Sequence, residues 1–219
     1  MFSTPFPEYI KFCCLESSSL SSYPALKEEE ACIQSVKAEH RRNEFLLGRA
    51  CAHQALSTFH LSHLPILRNE NRSPIWPKSI VGSISHTENW AVAAVGKQTA
   101  VKGIGIDIEN LHRAVNLGIQ RHVCISREAE WLAQFSSEQM EFFLKIIFSA
   151  KEAIFKCFHP LTGVYLDFKD AWVFLPENSP CFEFTLLKDC GADFPQGFQH
   201  KGAYQIVQNM VLTSTWVSA

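Results

Sequence analysis

Two stretches of the chain carry acidic residues and lysines in patterns that suit metal-dependent phosphate chemistry. Residues 101–109 read as a strand, because β-branched residues dominate the stretch and alternate with glycines. Side chains two positions apart on a strand share a face, so we expect Asp107 and Glu109 to point the same way. Gly103 and Gly105 would lie on that face and leave the backbone bare, so that a ligand could approach it closely.

The second stretch, residues 148–156, reads as part of a helix. Polar side chains recur there at three- and four-residue steps, which stacks them along one side of the helix: Lys145, Ser149, Glu152 and Lys156. We therefore expect the carboxylates of Asp107, Glu109 and Glu152 to meet around one cation, with a lysine beside them.

The chemistry that this set could support is phosphoryl transfer. Mg²⁺ takes oxygen ligands and is commonly held by a few carboxylates together with substrate phosphates, so Asp107, Glu109 and Glu152 are the predicted magnesium ligands. Glu152 could also accept a proton from an attacking hydroxyl, and Lys156 could balance the charge that develops on the phosphate oxygens. The alternative is a surface ion pair between Glu152 and Lys156, contributing a few tenths of a kcal/mol, beside a solvated strand end.

Composition excludes several classes of protein. A chain of 219 residues that is 47% hydrophobic and 19% charged can bury a core as one large or two small domains. The net charge of -2 is too small to imply nucleic acid or an anionic membrane as an obligatory partner. No apolar run is long enough to span a bilayer, and residues 1–7 do not resemble a secretion signal, so we expect a cytoplasmic protein.

A cluster of arginines marks a second candidate site. The spacing of apolar residues predicts a helix from Lys27 until Pro65 stops it. Arg41, Arg42 and Arg49 fall on neighbouring flanks of that helix, where guanidinium groups could hold a phosphate through paired hydrogen bonds. A solvated helix face is the alternative.

The remaining elements follow from turn signals and periodicity. Residues 67–77 are rich in turn residues, residues 80–85 form a predicted strand that ends at His86, and residues 90–95 and 101–108 are predicted to pair as neighbouring strands. Helices are expected at 128–135 and 137–158, with Pro160 and Gly163 ending the second. Four alternating segments then predict antiparallel strands: 171–174, 182–187, 204–207 and 211–217.

Several of these segments carry a family resemblance. Residues 105–109 and 148–156 resemble the paired signature of the 4'-phosphopantetheinyl transferases. Residues 41–49, 74–77 and 82–86 resemble further motifs of the enterobactin-synthetase type within that superfamily. The motifs occur in the order that the family shows, from about Lys37 to Trp172.

The resemblance implies a specific reaction. Enzymes of this family transfer the 4'-phosphopantetheine arm of coenzyme A to a serine of an acyl or peptidyl carrier protein and release adenosine 3',5'-bisphosphate. By analogy, Asp107, Glu109 and Glu152 hold magnesium against the coenzyme A pyrophosphate, and Glu152 activates the serine. Lys156, helped by Lys151, stabilises charge at the pyrophosphate. Other positions match residues that grip the adenosine and its 3'-phosphate in relatives: Arg41, Arg49, Arg68, Arg72, Ser85 and His86.

The resemblance also implies a fold. Family members have an α+β fold with two pseudo-symmetric halves in one monomer and the active site in the cleft between them, which predicts halves at residues 1–105 and 106–219 within one compact unit. Some larger relatives place lysines for the 3'-phosphate where this chain has Glu28, Glu29 and Glu30. The arginines would then have to bind that phosphate.

Two other classes of function remain open from the residues themselves. A Gly-x-Gly-x-Asp strand also resembles the metal-binding strands of ribonuclease H-like nucleases and sugar-kinase-like ATPases. A non-catalytic module that binds coenzyme A or carrier domains is the other alternative. The carrier and its pathway, whether siderophore, nonribosomal peptide, polyketide or fatty acid, are not specified by the sequence.

Overall fold

The protein has the predicted α+β fold, seen in a computed structural model that describes residues 2–23, 25–112, 117–177 and 179–219. Within these residues the strands are β1 (Ile10–Glu16), β2 (Leu67–Arg68), β3 (Pro74–Ile75), β4 (Ile80–Thr87), β5 (Trp90–Lys97), β6 (Val101–Asn110), β7 (Ala171–Phe174), β8 (Cys181–Leu186), β9 (Gln199–Val207) and β10 (Met210–Ser218). The α-helices are α1 (Lys27–Ala31), α2 (Glu39–Ser57), α3 (Gln120–Val123), α4 (Ser126–Leu132) and α5 (Ser137–Thr162). Across the described residues, none of the helices has the length and apolar character needed to cross a bilayer.

The first sheet is antiparallel and has the strand order β1-β5-β4. Its central strand β5 is apolar on both faces, because each face is covered. Ala91, Ala93 and Val95 pack with the buried side of α2, whereas Val92 and Ala94 face residues of the second sheet. Burial on both sides explains the uninterrupted apolar run in this strand.

The second sheet has the strand order β6-β10-β9-β8-β7, and α5 packs against it. The predicted pairing of residues 90–95 with 101–108 is wrong. Strand β5 pairs with β4 and β1, and β6 pairs with β10. Both edges of β5 are already occupied, so the turn at Gln98–Ala100 leads the chain into a different sheet.

A shared core joins the two sheets. Val92 of the first sheet lies in one buried cluster with Ile104, Ile108 and Leu212 of the second. The backbone N–H of Ile106 also donates to Ser83 Oγ on β4 at 3.2 Å. A boundary between residues 105 and 106 would fall inside β6, and the division into halves stays a prediction.

The helices differ from the predictions at their ends. The predicted helix from Lys27 to Pro65 contains two helices, α1 and α2, separated by turns at residues 32–35 and an extended segment, and α2 ends at Ser57, before Pro65 is reached. No glycine or proline interrupts that segment, so nothing in the sequence signalled the break. Helix α5 runs through Pro160 to Thr162, where Gly163 ends it in the left-handed conformation at φ 72°. Strand β1 was not predicted.

Candidate active site

Two glycines let α5 lie directly on β6. A Cβ atom on Gly105 would lie 1.8 Å from the carbonyl oxygen of Ala153, and one on Gly103 would lie 2.9 Å from that of Cys157. The sequence predicted that a ligand would approach this bare backbone. Helix α5 covers it instead, so that prediction is wrong. This close approach places Asp107 beneath α5.

Asp107 is the centre of the site. Its carboxylate is 3% exposed and accepts three hydrogen bonds. Oδ1 accepts from Lys156 Nζ at 2.7 Å and from Ser85 Oγ at 2.8 Å. Oδ2 accepts from Ser149 Oγ at 2.8 Å. One strand from each sheet and one helix thus converge on a single carboxylate.

Ser149 and Thr213 fix the orientation of this carboxylate. Thr213 lies opposite Asp107 in the pairing of β10 with β6, and its hydroxyl donates to the carbonyl of Ser149 at 2.8 Å. Ser149 Oγ, 2.9 Å from Thr213 Oγ1, is left to donate to Asp107 Oδ2. In the sequence, helical spacing marks Ser149. Nothing there marks Thr213, because the register of β10 against β6 cannot be predicted from the sequence.

Glu152 and Glu109 share an electrostatic environment with Lys156. Burial raises the pKa of Glu152, and the net shift stays upward although Lys156 opposes it, since Asp107 adds to the rise. Burial lowers the pKa of Lys156, but Asp107, Glu152 and Glu109 outweigh it, so this pKa lies above its usual value. Lys156 therefore lies within electrostatic reach of Asp107, Glu152 and Glu109, and the meeting of these three carboxylates around one cation stays a prediction.

The described residues do not form a ready-made metal site. Among the described residues, no group of three or more His, Cys, Asp or Glu side chains is arranged to hold a metal ion. The ammonium of Lys156 lies against Asp107 instead. The donors nearby are nevertheless carboxylate oxygens from a strand and a helix, which is the kind of donor set that Mg²⁺ uses.

Lys151 lies elsewhere than predicted. Its Nζ is 2.6 Å from Glu128 Oε2 and donates to the carbonyl of Val123 at 2.9 Å. Five residues along a helix correspond to a rotation of about 140°, so Lys151 points away from the side that carries Lys156. The prediction that Lys151 helps at the pyrophosphate is therefore corrected: it forms a buried ion pair with α4.

Four of the five predicted arginines come together, whereas Arg42 is exposed and does not line the same cavity. A cavity of about 520 Å³ lies between α2, β4 and the hairpin formed by β2 and β3. Five of the predicted binding residues line it: Arg41, Arg49, Arg68, Arg72 and His86. Burial holds the pKa of His86 below its usual value, with Glu44 opposing and Lys156 and Arg41 reinforcing the shift. The cavity thus gathers four arginines and one carboxylate, Glu44, which pairs with Arg41 at 3.1 Å, beside apolar surface from Phe45 and Ile84.

Strand β4 separates the two groups of residues. Ser85 donates to Asp107, whereas the next residue, His86, lines the arginine cavity. Neighbouring side chains on a strand point to opposite faces, so one strand serves both places. Ser85 and His86 were both predicted to bind the adenosine and its 3'-phosphate. In the structure, Ser85 hydrogen-bonds Asp107, whereas His86 lies with the arginines.

Arg49 is more deeply buried than the other arginines that line this cavity. Its Nε donates to the carbonyl of Ile66 at 2.7 Å and Nη2 to that of Leu67 at 3.4 Å, and its guanidinium lies 4.3 Å from the centre of the Phe45 ring. Burial lowers the pKa of Arg49 to about 10, and Glu29 opposes that shift. Part of its hydrogen-bonding capacity is therefore committed to the backbone.

A second cavity lies beside the arginine cavity and extends to Lys156. It has a volume of about 340 Å³ and is lined by Arg72, Pro74 and Ile84, which also line the arginine cavity. Lys156 and the aromatic residues Trp76, Phe155 and Tyr165 line it too. The two cavities therefore lie side by side, with Arg72, Pro74 and Ile84 in common, and the second reaches Lys156.

Models of two domains match this chain. The 4'-phosphopantetheinyl transferase N-terminal domain matches residues 28–96, and the 4'-phosphopantetheinyl transferase superfamily matches residues 103–207. Among solved structures, a holo-acyl-carrier-protein synthase of Thermotoga maritima is similar with a TM-score of 0.42 and 18% identity, over 53% of this chain and 63% of that one.

Curated relatives cover more of the chain. The 4'-phosphopantetheinyl transferase Svp of Streptomyces mobaraensis is 31% identical over 87% of this chain and 78% of its own length. The 4'-phosphopantetheinyl transferase Npt of Nocardia iowensis is 35% identical over 73% of this chain and 72% of its own length. Enterobactin synthase component D of Salmonella austin is 35% identical over 54% of this chain and 48% of its own length. The resemblance found in the sequence is confirmed, and the chain belongs to the 4'-phosphopantetheinyl transferase superfamily.

Proposed function

We propose that the protein transfers the 4'-phosphopantetheine arm of coenzyme A to a serine of an acyl or peptidyl carrier protein. The observation that carries this proposal is a pair of adjacent cavities: arginines line the first, and the second reaches Lys156, which hydrogen-bonds Asp107 and lies close enough to Glu152 to sense its charge. A substrate with a phosphorylated nucleotide at one end and a pyrophosphate towards the other suits that order of groups.

The transfer is a displacement at phosphorus. The serine Oγ of the carrier attacks the phosphorus atom that bears the pantetheine, and the bond from that atom to the bridging pyrophosphate oxygen breaks. Adenosine 3',5'-bisphosphate leaves with that oxygen. Glu152 takes the serine proton, directly or through water, and its raised pKa brings its proton affinity closer to that needed by a base at neutral pH.

Lys156 and the arginines act on the phosphates. Lys156 keeps its charge because the surrounding carboxylates raise its pKa, so it can stabilise negative charge on the transferring phosphate. Arg41, Arg68 and Arg72 line the cavity that would receive the nucleotide, where guanidinium groups bind phosphate well.

Asp107, Glu109 and Glu152 would hold Mg²⁺, the cofactor that this proposal includes. When bound, the ion would neutralise charge on the pyrophosphate. The chemistry of the donors supports this assignment.

The wider setting is also part of the proposal. The protein would work as a cytoplasmic monomer of two halves, and the family-model boundaries at residues 96 and 103 support the division near this position. The similarity to enterobactin synthase component D favours a siderophore or other nonribosomal-peptide carrier as partner.

Mass spectrometry of candidate apo carriers tests the activity. After incubation with the protein, coenzyme A and Mg²⁺, we expect the carrier to gain the mass of one 4'-phosphopantetheine group, and we expect a chelator to abolish the gain. If no carrier is modified, while ATP or a nucleic acid is hydrolysed, the nuclease or ATPase alternative replaces the proposal. Binding of coenzyme A without any turnover would instead indicate a binding module.

A further inference from the structure

A fully buried carboxylate lies outside the catalytic cluster. Glu29 of α1 is 0% exposed, although its neighbours Glu28 and Glu30 are exposed. Its Oε1 accepts from the backbone N–H of Ile66 at 2.8 Å and lies 2.8 Å from His53 Nε2. Among the described residues, Oε2 has no hydrogen-bond partner. Burying a carboxylate in this way is unfavourable, so its position calls for a physical reason.

The groups around Glu29 hold one short piece of backbone. Glu29 binds the N–H of Ile66, while Arg49 donates to the carbonyls of Ile66 and Leu67. The same peptide segment is therefore held from both its donor and its acceptor side. Burial raises the pKa of Glu29, but His53, the Ile66 N–H and Arg49 outweigh burial and lower it, so the carboxylate is ionised and its hydrogen bonds are strengthened by charge.

That segment begins the hairpin that carries two arginines of the nucleotide cavity. The hairpin has only two residue pairs, Leu67 with Ile75 and Arg68 with Pro74. So short a hairpin is not stable by itself, and Pro74 has no N–H to contribute. Arg72, near its turn, has a φ of 70°, a conformation that non-glycine residues rarely adopt. The position of the hairpin must therefore be set by contacts from outside it.

The aromatic ring of Phe45 lies beside both Arg49 and Arg68. The guanidinium of Arg49 lies 4.3 Å from the centre of its ring, and that of Arg68 lies 5.8 Å from it. Both guanidinium groups therefore pack near the same aromatic ring.

We infer that Glu29, together with His53 and Arg49, is a positioning group that fixes the β2–β3 hairpin and so sets the affinity of the arginine cavity for the nucleotide of coenzyme A. This inference rests on the proposed function, because it assigns the nucleotide to that cavity. Glu29 lines neither the arginine cavity nor the cavity that reaches Lys156. Its effect should therefore appear in substrate binding and leave the chemical step unchanged.

Kinetics and binding of the full-length variants Glu29→Ala and Glu29→Gln test the inference, with the exposed Glu30→Gln on the same helix as the matched control. We expect Glu29→Ala to raise KM for coenzyme A by about tenfold with kcat nearly unchanged. Calorimetry should show the same rise in the Kd of adenosine 3',5'-bisphosphate. Glu29→Gln keeps an acceptor for the Ile66 N–H but loses the charge, so we expect a rise of about threefold. Glu30→Gln should match the unmodified protein.

The outcomes separate the two proposals. If Glu29→Ala does not fold, Glu29→Gln decides, and a wild-type Kd in that variant overturns the inference. A loss of kcat with unchanged KM in either variant also overturns it, because it would show general destabilisation. If the unmodified protein binds adenosine 3',5'-bisphosphate but modifies no carrier, the proposed function fails while the Kd comparison still judges the role of Glu29. If it does not bind this nucleotide at all, both proposals fail.

Discussion

Helix α5 carries two lysine–carboxylate pairs of nearly equal length in very different surroundings. Lys151 Nζ is 2.6 Å from Glu128, and both side chains are 1% exposed. Lys156 Nζ is 2.7 Å from Asp107, but the lysine side chain is 25% exposed and lines the second cavity. The two lysines are five residues apart, so the same helix supports a closed pair on one side and an open one on another.

The two pairs also differ in how burial affects the pKa values of their charged groups. Burial raises the pKa of Glu128 and lowers that of Lys151, so in the closed pair burial opposes both charges. Burial also opposes the charge of Lys156, but several carboxylates together outweigh it. The closed pair binds α4, β7 and α5 together, since Glu128 also accepts from the N–H groups of Ile125 and Val173. Only the open pair retains a charged group that a substrate could reach.

The largest expected effect is on the stability of the closed pair. Glu128→Ala would leave Lys151 buried without its partner and orphan two backbone N–H groups, so we expect a loss of about 3–5 kcal/mol in the free energy of unfolding. Chemical denaturation measures this, with the exposed Glu130→Ala on the same helix as control. A loss below about 1 kcal/mol would show that the closed pair does not hold these elements together.

The matching change in the open pair should act on catalysis. We expect Lys156→Met to lower kcat about a hundredfold, because it removes a charge aimed at the transferring phosphate. Its effect on stability should be smaller than that of Glu128→Ala, since Asp107 keeps the hydroxyl donors Ser85 and Ser149. Steady-state kinetics and denaturation are compared with Lys102→Met, an exposed change on β6. A variant with normal kcat but lower stability would make the two pairs alike.

The double variant Glu128→Gln with Lys151→Met removes both charges of the closed pair together. We expect it to cost about 1–2 kcal/mol of folding free energy, less than the single change Glu128→Ala, because no charge is left unpaired. Transfer activity should be retained. Replacing Asp107 and Lys156 by Asn and Met should instead abolish transfer in a protein that still folds. Loss of activity in the first double variant would contradict the structural assignment of Lys151.

The smallest expected effect is a shift in pH dependence. A base acts only as the carboxylate, so activity should fall as the pH drops through the raised pKa of Glu152, and this acid limb should lie above the pKa of an ordinary glutamate. Asp107 contributes to that rise, so Asp107→Asn should move the titration of Glu152 to lower pH. The pH profile of kcat/KM and an NMR titration of the Glu152 carboxyl check these points. An unchanged titration in Asp107→Asn would show that the two acids are not coupled.

The positions of the site residues could be predicted from the sequence where the periodicity of a single strand or helix determines them. The alternation in β6 and the helical spacing in α5 placed Asp107, Glu152 and Lys156 correctly relative to their own elements. The family resemblance grouped Arg41, Arg49, Arg68 and Arg72, which line one cavity, whereas Arg42, which helix spacing had added, does not line it.

The errors arose where tertiary packing decides, or where only the family resemblance placed a residue. Helical spacing already places Lys151 away from the side that carries Glu152 and Lys156, and only the family resemblance added it to the site; in the structure it pairs with Glu128 of α4. The glycines of β6 were correctly expected to allow close approach, but whether a helix or a ligand approaches is a tertiary choice. Glu29 sits between two exposed glutamates, and no local pattern marks it as buried.

The most direct test of the cluster of Asp107, Glu152 and Lys156 is the transfer activity of Glu152→Gln. Its control is Glu138→Gln, which changes an exposed glutamate in the first turn of the same helix. Each purified protein is incubated with an apo carrier that the unmodified protein converts, together with coenzyme A and saturating Mg²⁺, and the mass of the carrier is followed over time. We predict that Glu138→Gln converts the carrier at the normal rate, whereas Glu152→Gln folds normally but produces no holo carrier. Normal conversion by Glu152→Gln would contradict the assignment of this carboxylate as the base.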